Sequence, residues 1–132
     1  GQGHVWYEAA RRGPTSYTTF YARRGLLKAR REELRRMVRA IARTERWVAG
    51  IDGAELAATI APYFPEVAPP ILAAACRRYK ALGIWNTEPV LSRAGYERLF
   101  DSLRSGGFVD PGTPFAVAVD NSLAEEVVAA GA

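Results

Sequence analysis

Cysteine and histidine are nearly absent from this sequence: each occurs once among 132 residues. Cys76 has no second cysteine with which to form an internal disulfide, and His4 lies near the amino terminus, where order is least expected. Zinc sites of the Cys and His type, and Cys–His nucleophilic catalysis, need more of these residues than the chain holds. We therefore expect no metal site, and we expect Cys76 to be a small core residue.

Long apolar runs are also missing. No stretch approaches the roughly 18 to 20 consecutive apolar residues that span a bilayer, and the start Gly1-Gln2-Gly3-His4 lacks the charged and apolar regions of an export signal. With 48% hydrophobic and 24% charged residues, the composition is typical of a globular chain long enough to bury one core. The sequence therefore predicts a soluble, ordered chain.

The motifs of the common enzyme classes do not occur either. The sequence has no phosphate loop, no Rossmann glycine pattern and no Ser-His-Asp order. Its carboxylates are scattered, a distribution typical of helix caps and solvated charges rather than of general acids and bases. We predict that the chain is not an enzyme, with no catalytic residue and no cofactor.

Positive charge is concentrated in one part of the chain. Residues 11–46 contain eleven Arg and one Lys against three Glu, which gives this part a net charge of +9. Because the whole chain has a net charge of +4, the other residues together carry about −5. Such a basic block attracts nucleic acid or anionic lipid. Arg also supplies 16 of the 18 basic residues, which is typical of plain compositional bias. We favour that second interpretation, in which the arginines form a solvated helix face.

A strand is predicted at about residues 15–22. Ser16 to Tyr21 is dense in aromatic and β-branched residues, and the breaker pair Gly13-Pro14 precedes it. One strand cannot satisfy its own backbone groups. We therefore expect this segment to pair with a sheet from another part of the molecule or from another chain.

About five helices are predicted after this strand. The clearest is strongly amphipathic and ends at Gly50, and its apolar face comprises Leu34, Met37, Val38, Ile41 and Val48. Glu45 falls within that face, where we expect an arginine partner or a position at its edge. Phe108 to Pro114 is predicted as a loop. Phe115 to Val119 is predicted as a helical turn, although its alternation is also compatible with a strand. The other helices follow cap and stop signals at Asp52, Pro62, Pro69-Pro70, Gly83, Ser92, Gly106-Gly107 and Asp120-Asn121-Ser122.

Four residues are candidates for ligand binding. Tyr17, Thr18 and Thr19 would present hydroxyl groups to a polar ligand from the predicted strand, beside its Gly-Pro turn. Trp85 offers a ring that can stack on a ligand. Each also has an ordinary structural explanation, which is strand packing for the first three and hydrophobic contact at a helix end for Trp85.

Six segments occur in an order that resembles the tail of a known family. They are Gly13 to Arg24, Met37 to Trp47, Pro62 to Pro65, Arg78 to Trp85, Ser105 to Phe108 and Val119 to Ala124. Together they span nearly the whole chain. The sequence thus resembles the carboxy-terminal portion of substrate-binding proteins of the nitrate/sulfonate/taurine/thiamine-precursor type, which serve ABC importers.

The resemblance implies an α/β fold of the type II periplasmic-binding-protein kind. Residues 1–132 would form the carboxy-terminal portion of two lobes that close on a small polar or nitrogen- or sulfur-containing solute. This portion would be mostly α, with a hinge strand at about 15–22 followed by the helices. The resemblance also implies an ABC permease as partner, no nucleic acid, and a periplasmic or extracellular, membrane-tethered location. Because the first-lobe sheet would lie outside these residues, we expect that the isolated chain either self-associates or was cut from a longer chain after folding.

Two other functions are open at this level. The arginine face is the footprint of a basic helical nucleic-acid-binding module. The other alternative is a fragment of a thiamine-pyrimidine-synthase-like enzyme, which would need a His- and Cys-bearing amino-terminal half.

Overall fold

The computed structural model describes residues 3–109 and 112–131, so the first two residues, part of the predicted loop after Phe108 and the last residue lie outside it. The described chain divides into two compact units. Unit 1 comprises the residues up to Tyr21 together with Leu91–Asp120. Unit 2 comprises Ala22–Val90 together with the residues from Asn121 onward.

The described chain is mostly helical, as the sequence predicts. Short 3-10 turns span Ala9–Arg12 and Ala61–Tyr63. The α-helices of the described residues are α1 (Arg24–Ala29), α2 (Arg31–Gly50), α3 (Gly53–Ile60), α4 (Pro69–Ala81), α5 (Arg93–Ser105), α6 (Phe115–Ala118) and α7 (Ser122–Ala129). The five principal predicted helices correspond to α2, α3, α4, α5 and α7, and the predicted helical turn is α6.

Local signals set most of these helix ends. The Asp52 carboxylate accepts the backbone N–H groups of Ala54 and Glu55 at the start of α3, and Pro69 opens α4 at a position where no backbone donor is needed. At the end of α4, Gly83 has φ +62° and Ile84 donates its N–H to the Tyr79 carbonyl oxygen at 3.2 Å. This is the closure that the sequence predicts at a helix-ending glycine.

The strand predicted at about residues 15–22 is not formed, and no β-strand occurs in the described part of the chain. Ser16 donates its backbone N–H to the Gly95 carbonyl oxygen at 3.1 Å, but this single bond goes to a helix. A β-ladder needs a neighbouring strand with a row of free backbone donors and acceptors. The regular elements of the described chain are helices, whose backbone groups bond to one another, so this segment has no strand to pair with.

Unit 2 holds the principal core. Leu56 and Ala57 of α3 pack on Leu72 and Cys76 of α4, and all four are buried. The buried position of Cys76 agrees with its predicted role as a small core residue. A Cβ atom on Gly53 would lie 2.6 Å from the backbone nitrogen of Arg77, so only glycine permits this approach of α3 to α4.

Helix α7 packs on α2 in the same unit. Ala42 of α2 and Leu123, Ala124 and Val127 of α7 are buried. Arg31 forms an ion pair with Glu126, so the two helices are also joined at their surface. Lys80 of α4 donates to the carbonyl oxygens of Val48 and Ala49, which would otherwise lack partners at the end of α2.

Unit 1 is built around α5. Ser92 caps this helix by accepting the backbone N–H of Gly95 at 3.0 Å, as its position in the sequence predicts. Arg98 donates from Nε to the Pro14 carbonyl oxygen at 3.0 Å, which holds the amino-terminal segment against the helix. A Cβ atom on Gly95 would lie 2.5 Å from Oγ of Ser16 and 3.1 Å from its backbone nitrogen, so a larger residue would make the Ser16 side chain turn and its backbone move slightly away.

Asp52 allows a test of helix capping. Asp52→Ala should remove both cap bonds of α3 and lower the melting temperature by roughly 4–8 °C, as expected for loss of an N-cap in a small domain. Asp52→Asn retains an acceptor oxygen and should lower the melting temperature much less.

The backbone bonds from Ala54 and Glu55 hold the pKa of Asp52 below its ordinary value. The cap therefore stabilises the fold above the ordinary Asp pKa, and this contribution is lost as the pH falls through the lowered value.

Thermal unfolding followed by circular dichroism measures both variants. Equal melting temperatures for Asp52→Ala and the parent at pH 7 would contradict the capping role.

Candidate functional site

A groove is formed in unit 1. It lies between α5 and the residues leading into α6, and its volume is about 280 Å³. Aromatic rings form its wall: the Tyr96 and Phe100 rings have centroids 4.5 Å apart, and the Tyr96 and Phe115 rings meet edge to face at 5.5 Å. This volume is at the small end for a ligand pocket.

The polar groups of the groove are engaged with one another. The Arg93 guanidinium lies 4.7 Å from the Phe115 ring centroid and pairs with Glu97 at 3.4 Å. Tyr96 donates its hydroxyl to the Thr113 carbonyl oxygen. These contacts hold α6 and the residues leading into it against α5.

The predicted ligand-binding residues of the amino-terminal segment lie in unit 1. Tyr17, Thr18 and Thr19 are all exposed, and Tyr17 retains 86% of its accessible surface. They follow directly after Ser16, which is bonded to α5. Their side chains are open to a ligand or to further polypeptide.

Trp85 lies in unit 2, beyond the carboxyl end of α4. Its ring meets the Tyr79 ring edge to face, with centroids 5.7 Å apart. This is the hydrophobic contact that the sequence predicts beside Gly83. The structure thus places the four candidate residues in two units, three in unit 1 and Trp85 in unit 2, and it does not gather them into one described site.

Glu45 takes the second of its two predicted positions, at the edge of the apolar face, because its side chain is half-buried. Its Oε2 atom is buried and has no hydrogen-bond partner among the described residues, so it forms no arginine pair there. Burial raises the pKa of Glu45 above its ordinary value, and the nearby Glu88 carboxylate raises it further. The position of Glu45 within the apolar face of α2 was the sequence signal for this burial.

Neither a metal centre nor a membrane span is found in the described residues. Among residues 3–109 and 112–131, no group of three or more His, Cys, Asp or Glu side chains is arranged to hold a metal ion. Over the same part of the chain, no helix has both the length and the apolarity needed to cross a bilayer.

Comparison with known proteins identifies no relative. No protein-family model matches the sequence, and neither a curated protein nor a solved structure is significantly similar to the chain.

Glu45 gives a test based on pH. An acid whose pKa is raised on folding destabilises the fold above the raised pKa, and the penalty disappears as the pH falls below the ordinary value. Glu45→Gln should therefore raise the melting temperature by about 2–6 °C at pH 7, and the gain should vanish near pH 4.

Glu66→Gln is the matched control, because Glu66 is exposed in the same unit and undergoes the same chemical change. Melting curves from pH 4 to pH 8 compare the variants. If the Glu45→Gln protein and the parent have the same melting temperature at pH 7, the carboxylate does not destabilise the fold.

Proposed function

We propose that this chain is the carboxy-terminal portion of a solute-binding component of an ABC importer, of the nitrate/sulfonate/taurine/thiamine-precursor type. The six segments that resemble the family in order support the assignment at the level of sequence. The structural observation that carries it is the apolar surface that the described chain leaves uncovered. A two-lobe binding protein supplies a sheet to cover such a surface.

The accessible surface of the chain is larger than a folded monomer of its mass normally exposes. It is 10110 Å², whereas a folded monomer of 14.5 kDa exposes about 6,900 Å². Two separately folded domains of that total mass would still expose only about 8,300 Å² by the same scaling. Eight apolar residues of the described chain are buried, while eighteen large apolar side chains are exposed. Further polypeptide covering these side chains accounts for the difference.

The segment after Ser16 contributes strongly to this excess. Tyr17, Phe20 and Tyr21 expose 86%, 76% and 94% of their surface. In a strand, Tyr17 and Tyr21 would point to one face and Phe20 to the other, because side chains alternate. A strand with aromatic residues on both faces is typical of a sheet covered on both sides by helices. In the proposed protein, a sheet supplied by the rest of the fold would convert this segment into the hinge strand at about 15–22.

Solute would bind between the lobes of the complete protein, which close around it, and the closed form would engage the permease. The location would be periplasmic or extracellular and membrane-tethered. Alternation along the hinge strand divides the candidate residues. Tyr17 and Thr19 share one face and Thr18 lies on the other, so a solute on one side of the strand meets either the pair or Thr18.

Self-association of the 132-residue chain is the first prediction of this proposal. The mass measured by light scattering should exceed 14.5 kDa and rise with concentration, because bare aromatic strands pair with one another. Replacing Tyr17, Phe20 and Tyr21 together by Ser should reduce the mass.

Tyr63→Ser is the control for this experiment, since Tyr63 is also largely exposed but lies outside the segment. A concentration-independent monomer that unfolds cooperatively would remove the structural support for the proposal.

Solute binding by the complete protein is the second prediction. The product of the full reading frame that contains this sequence should gain thermal stability with one member of a panel of nitrate, alkylsulfonates and aminopyrimidines. Ligand at a hundredfold excess over Kd adds about 2.7 kcal/mol, which raises the melting temperature by roughly 5–10 °C in a protein of two lobes.

Two variants then locate the solute. Tyr17→Phe combined with Thr19→Ala should weaken binding if the solute faces that side of the strand, and Thr18→Ala should do so if it faces the other. Tyr63→Phe is the control and should bind as the parent does. Absence of any stabilising solute, or binding that neither variant changes, would count against these residues.

A further inference from the structure

Helix α2 carries a straight line of basic residues that ends in a tryptophan. Arg36, Arg39, Arg43 and Trp47 follow one another at spacings of three, four and four residues, which places them along one side of the helix. We call these four residues the outer stripe. The Arg36 side chain is 69% exposed, Arg43 is exposed, Arg39 is half-buried, and Trp47 keeps 40% of its surface.

The outer stripe has more positive charge than its neighbours neutralise. Arg35 already holds Glu32 through two hydrogen bonds of 2.8 and 2.9 Å, and Arg36 reaches the same carboxylate only at 3.7 Å. Arg39 acts on Glu32 only through its charge. The Arg43 side chain forms no ion pair or hydrogen bond with a described residue. Arg36 and Arg39 thus act on a carboxylate that Arg35 already holds, and Arg43 has no acidic partner among the described residues.

Helix α7 determines what kind of anionic surface fits. The Arg31–Glu126 ion pair and the bond from Arg46 to the Gly131 carbonyl oxygen at 3.3 Å hold α7 along α2. Two helices side by side, each about 10–12 Å across, are together wider than the DNA major groove of about 12 Å, so only one of them can enter it. A flat anionic surface can meet the exposed side of α2 without that restriction.

Trp47 also favours a lipid surface. Tryptophan is enriched at membrane interfaces, where its ring lies at the level of the headgroups. Single-stranded nucleic acid is usually bound by a series of aromatic rings on which successive bases stack. The outer stripe offers one ring.

We propose that the outer stripe binds the phosphate headgroups of an anionic phospholipid surface. Each guanidinium would donate two parallel hydrogen bonds to phosphate oxygens, and the Trp47 ring would lie among the headgroups. The inference rests on unit 2 alone and does not depend on the identity or existence of a bound solute. It gives this protein a direct contact with the membrane besides any contact with a permease.

Co-sedimentation with vesicles tests the proposal on the product of the full reading frame. The protein should bind vesicles of phosphatidylcholine with about one third phosphatidylglycerol and should not bind phosphatidylcholine alone. High salt should release it, because exposed charges are screened. Replacing Arg36, Arg39 and Arg43 together by Gln should weaken binding roughly hundredfold, since each basic residue near such a surface contributes roughly fivefold.

The matched control replaces Arg11, Arg12 and Arg104 by Gln, which removes the same charge from exposed positions in unit 1. It should retain most of the binding. Trp47→Ala should weaken binding several-fold, and Tyr63→Ala should not. Circular dichroism checks that each variant keeps its helices, and Arg43→Gln alone, with a roughly fivefold loss, replaces the triple variant if that protein is poorly folded.

Three outcomes would overturn the proposal. Equal losses in the stripe variant and the control would mean that net charge alone attracts the protein. Equal binding to neutral vesicles would mean that the phosphates of anionic lipid are not recognised. Stripe-dependent binding to mixed-sequence DNA without binding to vesicles would assign the stripe to nucleic acid. A normal solute-induced thermal shift in the stripe variant separates these results from failure of the solute-binding proposal.

Discussion

The close approach of α3 and α4 governs the arrangement of unit 2. Because Gly53 lacks a side chain, the backbone of Arg77 can come near enough for Leu56 and Leu72 to be buried together. Full burial of each leucine contributes roughly 2 kcal/mol. The same placement of α4 lets Lys80 reach the carbonyl oxygens at the end of α2. The contact between α4 and the end of α2 therefore depends on the absence of a side chain at Gly53.

Burial in the described chain is concentrated in a few places, and this limits what the chain can do alone. Beyond the α3–α4 core, the buried hydrophobic residues lie where α2 meets α7. Ile71 on α4 and Val117 on α6 are exposed, although each belongs to a helix with a well-defined start. In α/β proteins such helices cover a sheet with their apolar sides. In the proposed fold, these helices would form an outer layer over a sheet that further polypeptide supplies.

The elements that could be predicted from the sequence are those specified by neighbours in the chain. Asp52, Ser92, Pro69 and Gly83 each act on backbone groups within about four residues, so their effect can be deduced from a short window of sequence. The helices they bound were predicted with ends close to those observed. The contact of Trp85 with Tyr79 followed from the same local closure at Gly83.

The features that could not be predicted depend on residues far away in the sequence. Whether Glu45 would meet an arginine depended on how α2 is turned against its neighbours, and periodicity left two outcomes open. The strand at about 15–22 was predicted from composition, but composition states only that a segment is fit for a sheet. Pairing has to come from another strand, and the described chain has none. The positions of the candidate ligand-binding residues Tyr17, Thr18 and Thr19 depend on the same missing partner strand.

The contrast between helices and strand follows from where backbone hydrogen bonds are made. A helix satisfies most of its donors and acceptors within one segment, so the backbone hydrogen bonds of α2 to α5 need no neighbouring element. A strand satisfies them across segments, so residues 17–21 remain irregular until a partner supplies the ladder. Adding a sheet would at once give this segment its hydrogen bonds and cover its aromatic side chains. The order of the segment would then depend on the same contacts that complete the surrounding core, which is the coupling a hinge between two lobes requires.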